Sequence, residues 1–214
     1  MGMLRKSTVV ALLTVMLGVL FACSHNQEGK PGRAESPKTA AREATGPRYT
    51  AYNLWYERPE ALSCINYQRG AIIPAGTRVN NVEARGHKIR FMTADGGAYT
   101  VTFNAKYHPG LSVVDFEGRM FTSKDFDQLT AQMSPAEIDC IKAGAIKAGV
   151  SKACVLATYG YPPEHITPSL NSNRWIYWEN RFRQEAVNFD AEGRTTGPTE
   201  PAQSGREPRS RRDR

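Results

Sequence analysis

The fold of the first half of this chain is decided by residues 88–103, Lys88-Ile89-Arg90-Phe91-Met92-Thr93-Ala94-Asp95-Gly96-Gly97-Ala98-Tyr99-Thr100-Val101-Thr102-Phe103. Apolar and polar residues alternate on both sides of Asp95-Gly96-Gly97, and glycine tolerates the positive φ that a tight hairpin turn needs. Since successive side chains of a strand point to opposite faces, the pattern predicts an antiparallel hairpin with one buried face. The residues predicted to be buried are Ile89, Phe91, Tyr99, Val101 and Phe103, whereas Arg90, Thr100 and Thr102 face water.

Strand patterns also precede this hairpin, as runs rich in Tyr, Ile, Val and Thr that are separated by turn residues. The predicted strands cover residues 49–56, 64–73, 77–84, 88–94 and 98–104. Five short strands joined by tight turns favour a small closed barrel, because closure removes unpaired edges. Residues 49–120 resemble the SH3-like modules of bacterial envelope proteins, and this resemblance implies an SH3-like β-barrel.

Helix signals replace strand signals after residue 120. Thr122 or Ser123 is predicted to open a short helix through Leu129. Ser134-Pro135-Ala136-Glu137 is a capping box with proline at the first helical position, and that helix is predicted to end at Gly149. Ser151 is predicted to cap the next helix, which Gly160 ends. Two strands, at residues 174–180 and 185–189, complete an α+β chain.

The second half of the chain carries a series of local motifs in a fixed order. They are Ile146-Lys147-Ala148-Gly149-Val150-Ser151-Lys152, Val155, Tyr159-Gly160-Tyr161-Pro162-Pro163, Trp175-Ile176-Tyr177-Trp178, and Val187-Asn188-Phe189 with Gly193. These motifs resemble the BamE (SmpA/OmlA) family of small outer-membrane lipoproteins. For residues 121–194 the resemblance implies a BamE-like αα-ββ unit, a helical hairpin followed by a β-hairpin. It also implies a non-catalytic role in the assembly of outer-membrane proteins.

The N-terminal residues are built like a lipoprotein export signal. Arg5 and Lys6 precede an apolar run, and Leu20-Phe21-Ala22-Cys23 resembles the bacterial lipobox. We therefore expect a signal peptide over residues 1–22 and lipid on Cys23, followed by a disordered linker to residue 48. A plain secretory signal cut near Ala22 and a retained transmembrane span are the alternatives; the apolar run is short for a span of ~20 residues. Ser24 after the cysteine favours the outer membrane, facing the periplasm.

The formal net charge of +7 belongs to the ends of the chain. Residues 49–193 carry equal numbers of acidic and basic residues, so no basic patch on the folded part follows from the total. Export makes nucleic acid an unexpected partner. Residues 195–214 are rich in arginine, glycine and proline and predict a disordered basic tail. The tail is either a contact for peptidoglycan or lipopolysaccharide or a plain solubilising end.

Candidate catalytic residues are sparse in this sequence. His25, His87, His108 and His165 have no spacing that predicts a metal site, and neither metal nor cofactor is predicted. Adjacent Glu164 and His165 are expected to point apart. The alternative function is an envelope hydrolase, such as a cysteine peptidase or amidase, in which Cys64 acts with one of the histidines. Three cysteines remain besides Cys23, so a Cys140–Cys154 disulfide and three free thiols both stay open.

The strand Trp175-Ile176-Tyr177-Trp178 has apolar residues on both faces. Either both faces are covered by the rest of the protein, or one face is an exposed aromatic patch for a protein partner. The predicted partner-binding residues are Tyr161, Pro162, Trp175, Tyr177 and Trp178. The favoured function is a lipid-anchored, non-enzymatic envelope scaffold or binding protein that supports outer-membrane protein assembly.

Overall fold

The computed structural model describes residues 46–197 and the short strand Glu200–Pro201. These residues belong to one compact unit that spans residues 44–214. Cys23, the predicted signal peptide, most of the predicted linker and most of the predicted basic tail lie outside the described residues. The described part is α+β, with a curled mixed sheet that forms a half-barrel and four helices.

Strands dominate the first part of the unit, and one helix follows them. In chain order the elements are β1 (Arg48–Thr50), β2 (Leu54–Tyr56), β3 (Leu62–Ser63), β4 (Ala71–Ile73), β5 (Arg78–Arg85), β6 (Lys88–Thr93), β7 (Ala98–Thr102), α1 (Val113–Met120) and β8 (Phe121–Thr122). The large sheet has the order β3-β7-β6-β5-β1-β8, and β2 pairs separately with β4. Helix α1 packs on this sheet through Phe116 and Met120, which join its core.

The hairpin predicted from residues 88–103 is confirmed. β6 and β7 pair antiparallel, with Ile89 opposite Val101 and Phe91 opposite Tyr99. Ile89, Phe91 and Val101 are fully buried, and the rings of Phe91 and Tyr99 stack at 5.3 Å.

Two other strand predictions are corrected by the structure. Residues 49–56 form two strands, because the chain turns at Ala51-Tyr52-Asn53 and β1 and β2 join different sheets. Of residues 64–73, only Ala71–Ile73 is a strand. Asn66 has a φ of 55° there, a left-handed conformation that breaks an extended run. The sheet curls without closing, because its end strands β3 and β8 are two residues long and do not pair with each other.

Helix α1 was missed by the sequence patterns, which placed the first helix after residue 120. Ser112 nevertheless caps it with a capping box in which Asp115 takes the third helical position. The usual signature has Glu or Gln at that position, and the shorter Asp side chain makes the same reciprocal bond here.

The second part of the unit alternates short helices with two longer strands. Its elements are α2 (Phe126–Thr130), α3 (Pro135–Ala143), α4 (Lys152–Tyr159), β9 (Arg174–Asn180), β10 (Arg183–Asn188) and β11 (Glu200–Pro201). The predicted caps Ser134 and Ser151 are confirmed. Asp125, rather than Thr122 or Ser123, caps α2.

Helix α3 ends earlier than predicted. Gly144, at a φ of 64°, is its C-cap, and the amide of Ala145 donates back to the Cys140 carbonyl at 3.1 Å. This back-bonding satisfies the last carbonyls of the helix. Gly149, the predicted end, instead donates its amide to Thr195 at 2.7 Å.

Two buried asparagines join the two parts of the unit. The Asn53 side chain accepts from the Ala75 amide and donates to the Ile141 carbonyl in α3, both at 2.8 Å. The Asn66 side chain donates to the carbonyls of Asn53 and of Tyr159, both at 2.9 Å. These hydrogen bonds link the two parts of the unit across the change of sequence character near residue 120.

Glu137 holds the starts of α3 and α4 together. Its carboxylate accepts from the amide and hydroxyl of Ser134 and from the amide of Ser151, and it lies 3.4 Å from Arg194. Burial alone would raise the pKa of Glu137, but the hydrogen bonds from Ser151 and Ser134 outweigh it and lower the pKa to about 2.

We expect Glu137 to make the fold acid-sensitive. Its folded pKa lies below the ordinary value of 4.5, so its stabilisation is fully present above pH 4.5 and is lost as the pH falls toward 2. Glu137→Gln should lower the free energy of unfolding by about 3 kcal/mol at neutral pH. Urea unfolding at a series of pH values should show this difference shrinking toward acid. Glu192→Gln, an exposed control, should show no such trend; a difference independent of pH would contradict the assignment.

Candidate functional site

An open groove of about 420 Å³ runs between α1, α2 and α4. Its wall is formed by Leu129, Met133 and Leu156, three half-buried apolar side chains. Its floor contains the small residues Gly118, Ala153 and Ala157. The remaining residues that line it are Ala51, Tyr52, Arg119, Phe121, Thr122, Lys124 and Tyr161. We call this cavity the Tyr161 groove.

A second cavity, of about 280 Å³, lies on the other side of Tyr161. Arg119 and Tyr161 line both cavities, and the Arg119 guanidinium carbon lies 5.1 Å from the centre of the Tyr161 ring. Arg119 also forms an ion pair with Glu164 at 2.6 Å. The stacked Arg119–Tyr161 pair therefore forms a ridge between the two cavities, and Glu164 fixes its position.

The end of α4 explains why Tyr161 stands at this place. Gly160, at a φ of 81°, ends the helix, and a Cβ there would lie 2.6 Å from the ring of Tyr52. Its carbonyl accepts from the Tyr177 hydroxyl at 3.0 Å. Glycine is thus required both by its conformation and by the close approach of Tyr52. The turn at Gly160 leaves the Tyr161 ring half-buried between the two cavities.

The predicted partner-binding patch is only partly supported by the positions of its five residues. Tyr161 lines both cavities and Pro162 lines the second, although Pro162 is buried. Trp175 and Tyr177 are fully buried in the core of the second part, so their assignment to an exposed patch is wrong. Trp178 is half-buried against the core of the first part. Both faces of β9 are covered, as the other interpretation of this strand had it.

The outer edge of β9 is also covered by neighbouring segments. The Ile176 amide donates to the Thr167 hydroxyl at 3.0 Å, and the Trp178 carbonyl accepts from the Gln68 amide at 3.2 Å. These contacts occupy backbone groups that an open edge strand would offer to another chain.

Several residues around the cavities escaped the sequence interpretation. Arg119 was missed because α1 was missed, since only that helix brings it beside Tyr161. Lys124 lies between β8 and α2, where no local pattern marks it as part of a site. Glu164 and His165 do point apart, because Glu164 pairs with Arg119 while the His165 ring packs on Tyr107 at 5.2 Å. Phe182, 89% exposed at the turn between β9 and β10, is a second surface feature that the pattern treated only as a connection.

Cys64, the nucleophile of the hydrolase alternative, lies in the core. It is buried, and burial raises the pKa of its thiol to about 11. The nearest histidine contact is with its backbone, because His108 Nε2 lies 3.2 Å from the Cys64 carbonyl oxygen. A reactive cysteine needs an accessible thiolate, whose pKa lies below the ordinary value. The geometry around Cys64 therefore offers no support for nucleophilic catalysis.

Cys140 and Cys154 are free thiols in the structure, and both are fully buried. They are enclosed because α3 and α4 pack against each other. Burial raises the pKa of Cys154 to about 12, although a hydrogen bond with Thr158 opposes the shift.

Between residues 46 and 197, no group of three or more His, Cys, Asp or Glu side chains is placed to hold a metal ion. Across the same part of the chain, no helix is long and apolar enough to cross a membrane. Comparisons with protein-family models, with curated proteins and with solved structures find no match for this chain.

Proposed function

We propose that this chain is a lipid-anchored, non-enzymatic binding protein of the bacterial outer membrane, which faces the periplasm and holds a partner protein in the Tyr161 groove. The observation that carries the proposal is the groove itself. It is apolar, it is preformed by three helices, and its ridge residue Arg119 is fixed by both Tyr161 and Glu164. Preformed apolar clefts with a few fixed polar groups are typical binding sites.

The anchoring half of the proposal rests on the sequence. Leu20-Phe21-Ala22-Cys23 supplies the lipobox, and the serine after Cys23 favours the outer membrane. A stable anchor needs more than one lipid chain, which a thioether-linked diacylglyceryl group with an acylated amino terminus would provide. Residues 24–45 then connect this anchor to the described unit.

The finer assignment of the fold belongs to the same proposal. The curled sheet is proposed as an SH3-like module, supported by its short strands and tight turns. The segment from α3 to β10 is proposed as a BamE-like unit, supported by the order of two capped helices followed by an antiparallel β-hairpin. With that assignment, the proposed task of the protein is to support the assembly of outer-membrane proteins.

The proposed lipid anchor and the proposed binding groove are each tested by one variant. Cys23→Ala should lose incorporation of a fatty-acid analogue and leave the outer-membrane fraction. Ala153→Trp, at an exposed floor position, should fill the groove and abolish chemical crosslinking to envelope proteins in intact cells, with little change in thermal stability. Ala98→Trp, an exposed position outside the groove, is the matched control. Unchanged labelling of Cys23→Ala, or unchanged crosslinking of Ala153→Trp, would contradict the proposal.

A further inference from the structure

The chemistry of the Tyr161 groove defines the partner that fits it, provided that the groove is the binding site proposed above. We infer that it binds a short extended segment of a partner protein in which a large apolar side chain is flanked by carboxylates. Three features of the groove support this inference: its apolar wall, its open floor and the sign of its charged residues.

The apolar wall provides a site for one large side chain. Leu129 comes from α2, Met133 lies between α2 and α3, and Leu156 comes from α4. All three remain half-buried in the free protein, so part of their apolar surface is still in contact with water. Covering that surface with an apolar side chain is favourable by about 25 cal/mol per Å².

The floor leaves room for a main chain. Gly118 has nothing within 4 Å of the place where a Cβ would be, and Ala153 is exposed. A backbone can approach closely where neighbouring side chains are this small. The rim is also polar at one end, where the Thr122 hydroxyl accepts from the Lys124 amide at 3.2 Å.

The charged residues of the groove are both basic. Among the described residues that line it, Lys124 and Arg119 carry charge and none is an Asp or Glu. Within the described residues, the Lys124 ammonium has no hydrogen bond or ion pair, whereas Arg119 is paired with Glu164 in the second cavity. Lys124 is therefore the free cation of the rim, and a carboxylate is its complement.

With residues 1–22 removed as the proposed signal peptide, the remaining segments outside the described residues do not fit the groove. Residues 24–45 and 202–214 contain no Val, Ile, Leu, Met, Phe, Tyr or Trp, so neither can supply a large apolar side chain to the wall. Residues 202–214 also carry five arginines against two acids, the wrong sign for Lys124. The complement in both shape and charge must come from a second protein.

The test uses fluorescein-labelled nine-residue peptides with a central phenylalanine, flanked on both sides by aspartates, serines or lysines. Their anisotropy is measured with the full lipidated chain in detergent at low salt. We expect the aspartate-flanked peptide to bind about tenfold more tightly than the lysine-flanked one. Lys124→Glu should remove this preference, while Lys106→Glu, an exposed control outside the groove, should keep it. Replacing the central phenylalanine by serine should abolish binding.

Three outcomes would overturn the inference. These are equal binding of the three peptides, a preference that survives Lys124→Glu, and binding of phosphatidylglycerol-containing vesicles through Lys124 when no peptide binds. The last outcome would assign the groove to lipid. Each is distinguishable from failure of the proposed function: if Ala153→Trp still abolishes crosslinking in cells, the groove binds a partner, and only the partner's chemistry has been wrongly inferred.

Discussion

Replacement of Asn53 by alanine will lower the free energy of unfolding by about 4 kcal/mol. The variant leaves the Ala75 amide and the Ile141 carbonyl buried without their partner, and each unsatisfied buried group costs about 1–3 kcal/mol. Urea unfolding followed by circular dichroism measures the loss. Asn80→Ala, at an exposed position of β5, should change stability by less than about 0.5 kcal/mol.

The same variant tests whether the two parts of the unit unfold together. Hydrogen exchange of the β9 and β10 amides reports on the second part, while exchange of the β6 and β7 amides reports on the large sheet. Because Asn53 and Asn66 bond across the two parts, we expect both probes to lose protection by the same free energy in Asn53→Ala. Loss in only one part would show that the asparagines do not couple them.

Trp175→Ala will cost about 3–5 kcal/mol of unfolding free energy, the range for removing a large core aromatic. Trp175 is fully buried, its ring packs on Phe189 at 4.8 Å, and the Lys152 ammonium lies 5.6 Å from the ring centre. Thermal and urea unfolding should both show the loss. Trp175→Phe should cost less, because it leaves a smaller cavity.

Phe182→Ala is the matched control for this prediction. Its ring is 89% exposed, so its removal should change stability by less than about 0.5 kcal/mol. A Trp175→Ala variant that melts with the wild type would contradict the buried position of Trp175. It would also restore this residue as a candidate for the surface patch.

Local chemistry made part of the fold predictable. The Asp95-Gly96-Gly97 turn sets the register of its own hairpin, and Ser134 and Ser151 cap the helices that begin next to them. Each of these features depends on residues only a few positions apart. The sequence pattern of the immediate neighbourhood therefore contains the information needed.

Features that depend on distant residues were not predictable in this way. Asn53 and Ile141 are 88 positions apart, and no local pattern marks Asn53 as the residue that joins them. β3 pairs parallel with β7, so a strand of two residues gains its partner only through the tertiary fold. By sequence, Trp175 and Tyr177 are compatible with a surface or a core position. They are core residues because they pack with residues of α3 and α4.

The candidate site also combines residues that the sequence predicted with residues that it did not. Tyr161 and Pro162 were predicted from the sequence because they follow the end of α4 and were expected to lie near the aromatic strand of residues 174–180. Arg119, Glu164 and Lys124 were not identified as a group, since the first comes from α1, the second follows α4 and the third precedes α2. Only the packing of these elements creates the groove.

If the Tyr161 groove is the surface that contacts the proposed partner, a probe in the groove will crosslink to that partner and probes on other faces will not. Photo-crosslinking in intact cells tests this with a photoreactive residue placed singly at Lys124, Arg90 or Phe182, with Cys23 unchanged. All three positions are exposed, and only Lys124 lines the groove. We expect a discrete protein adduct from Lys124 and none from Arg90 or Phe182. An adduct from Phe182 or Arg90, with none from Lys124, would contradict it.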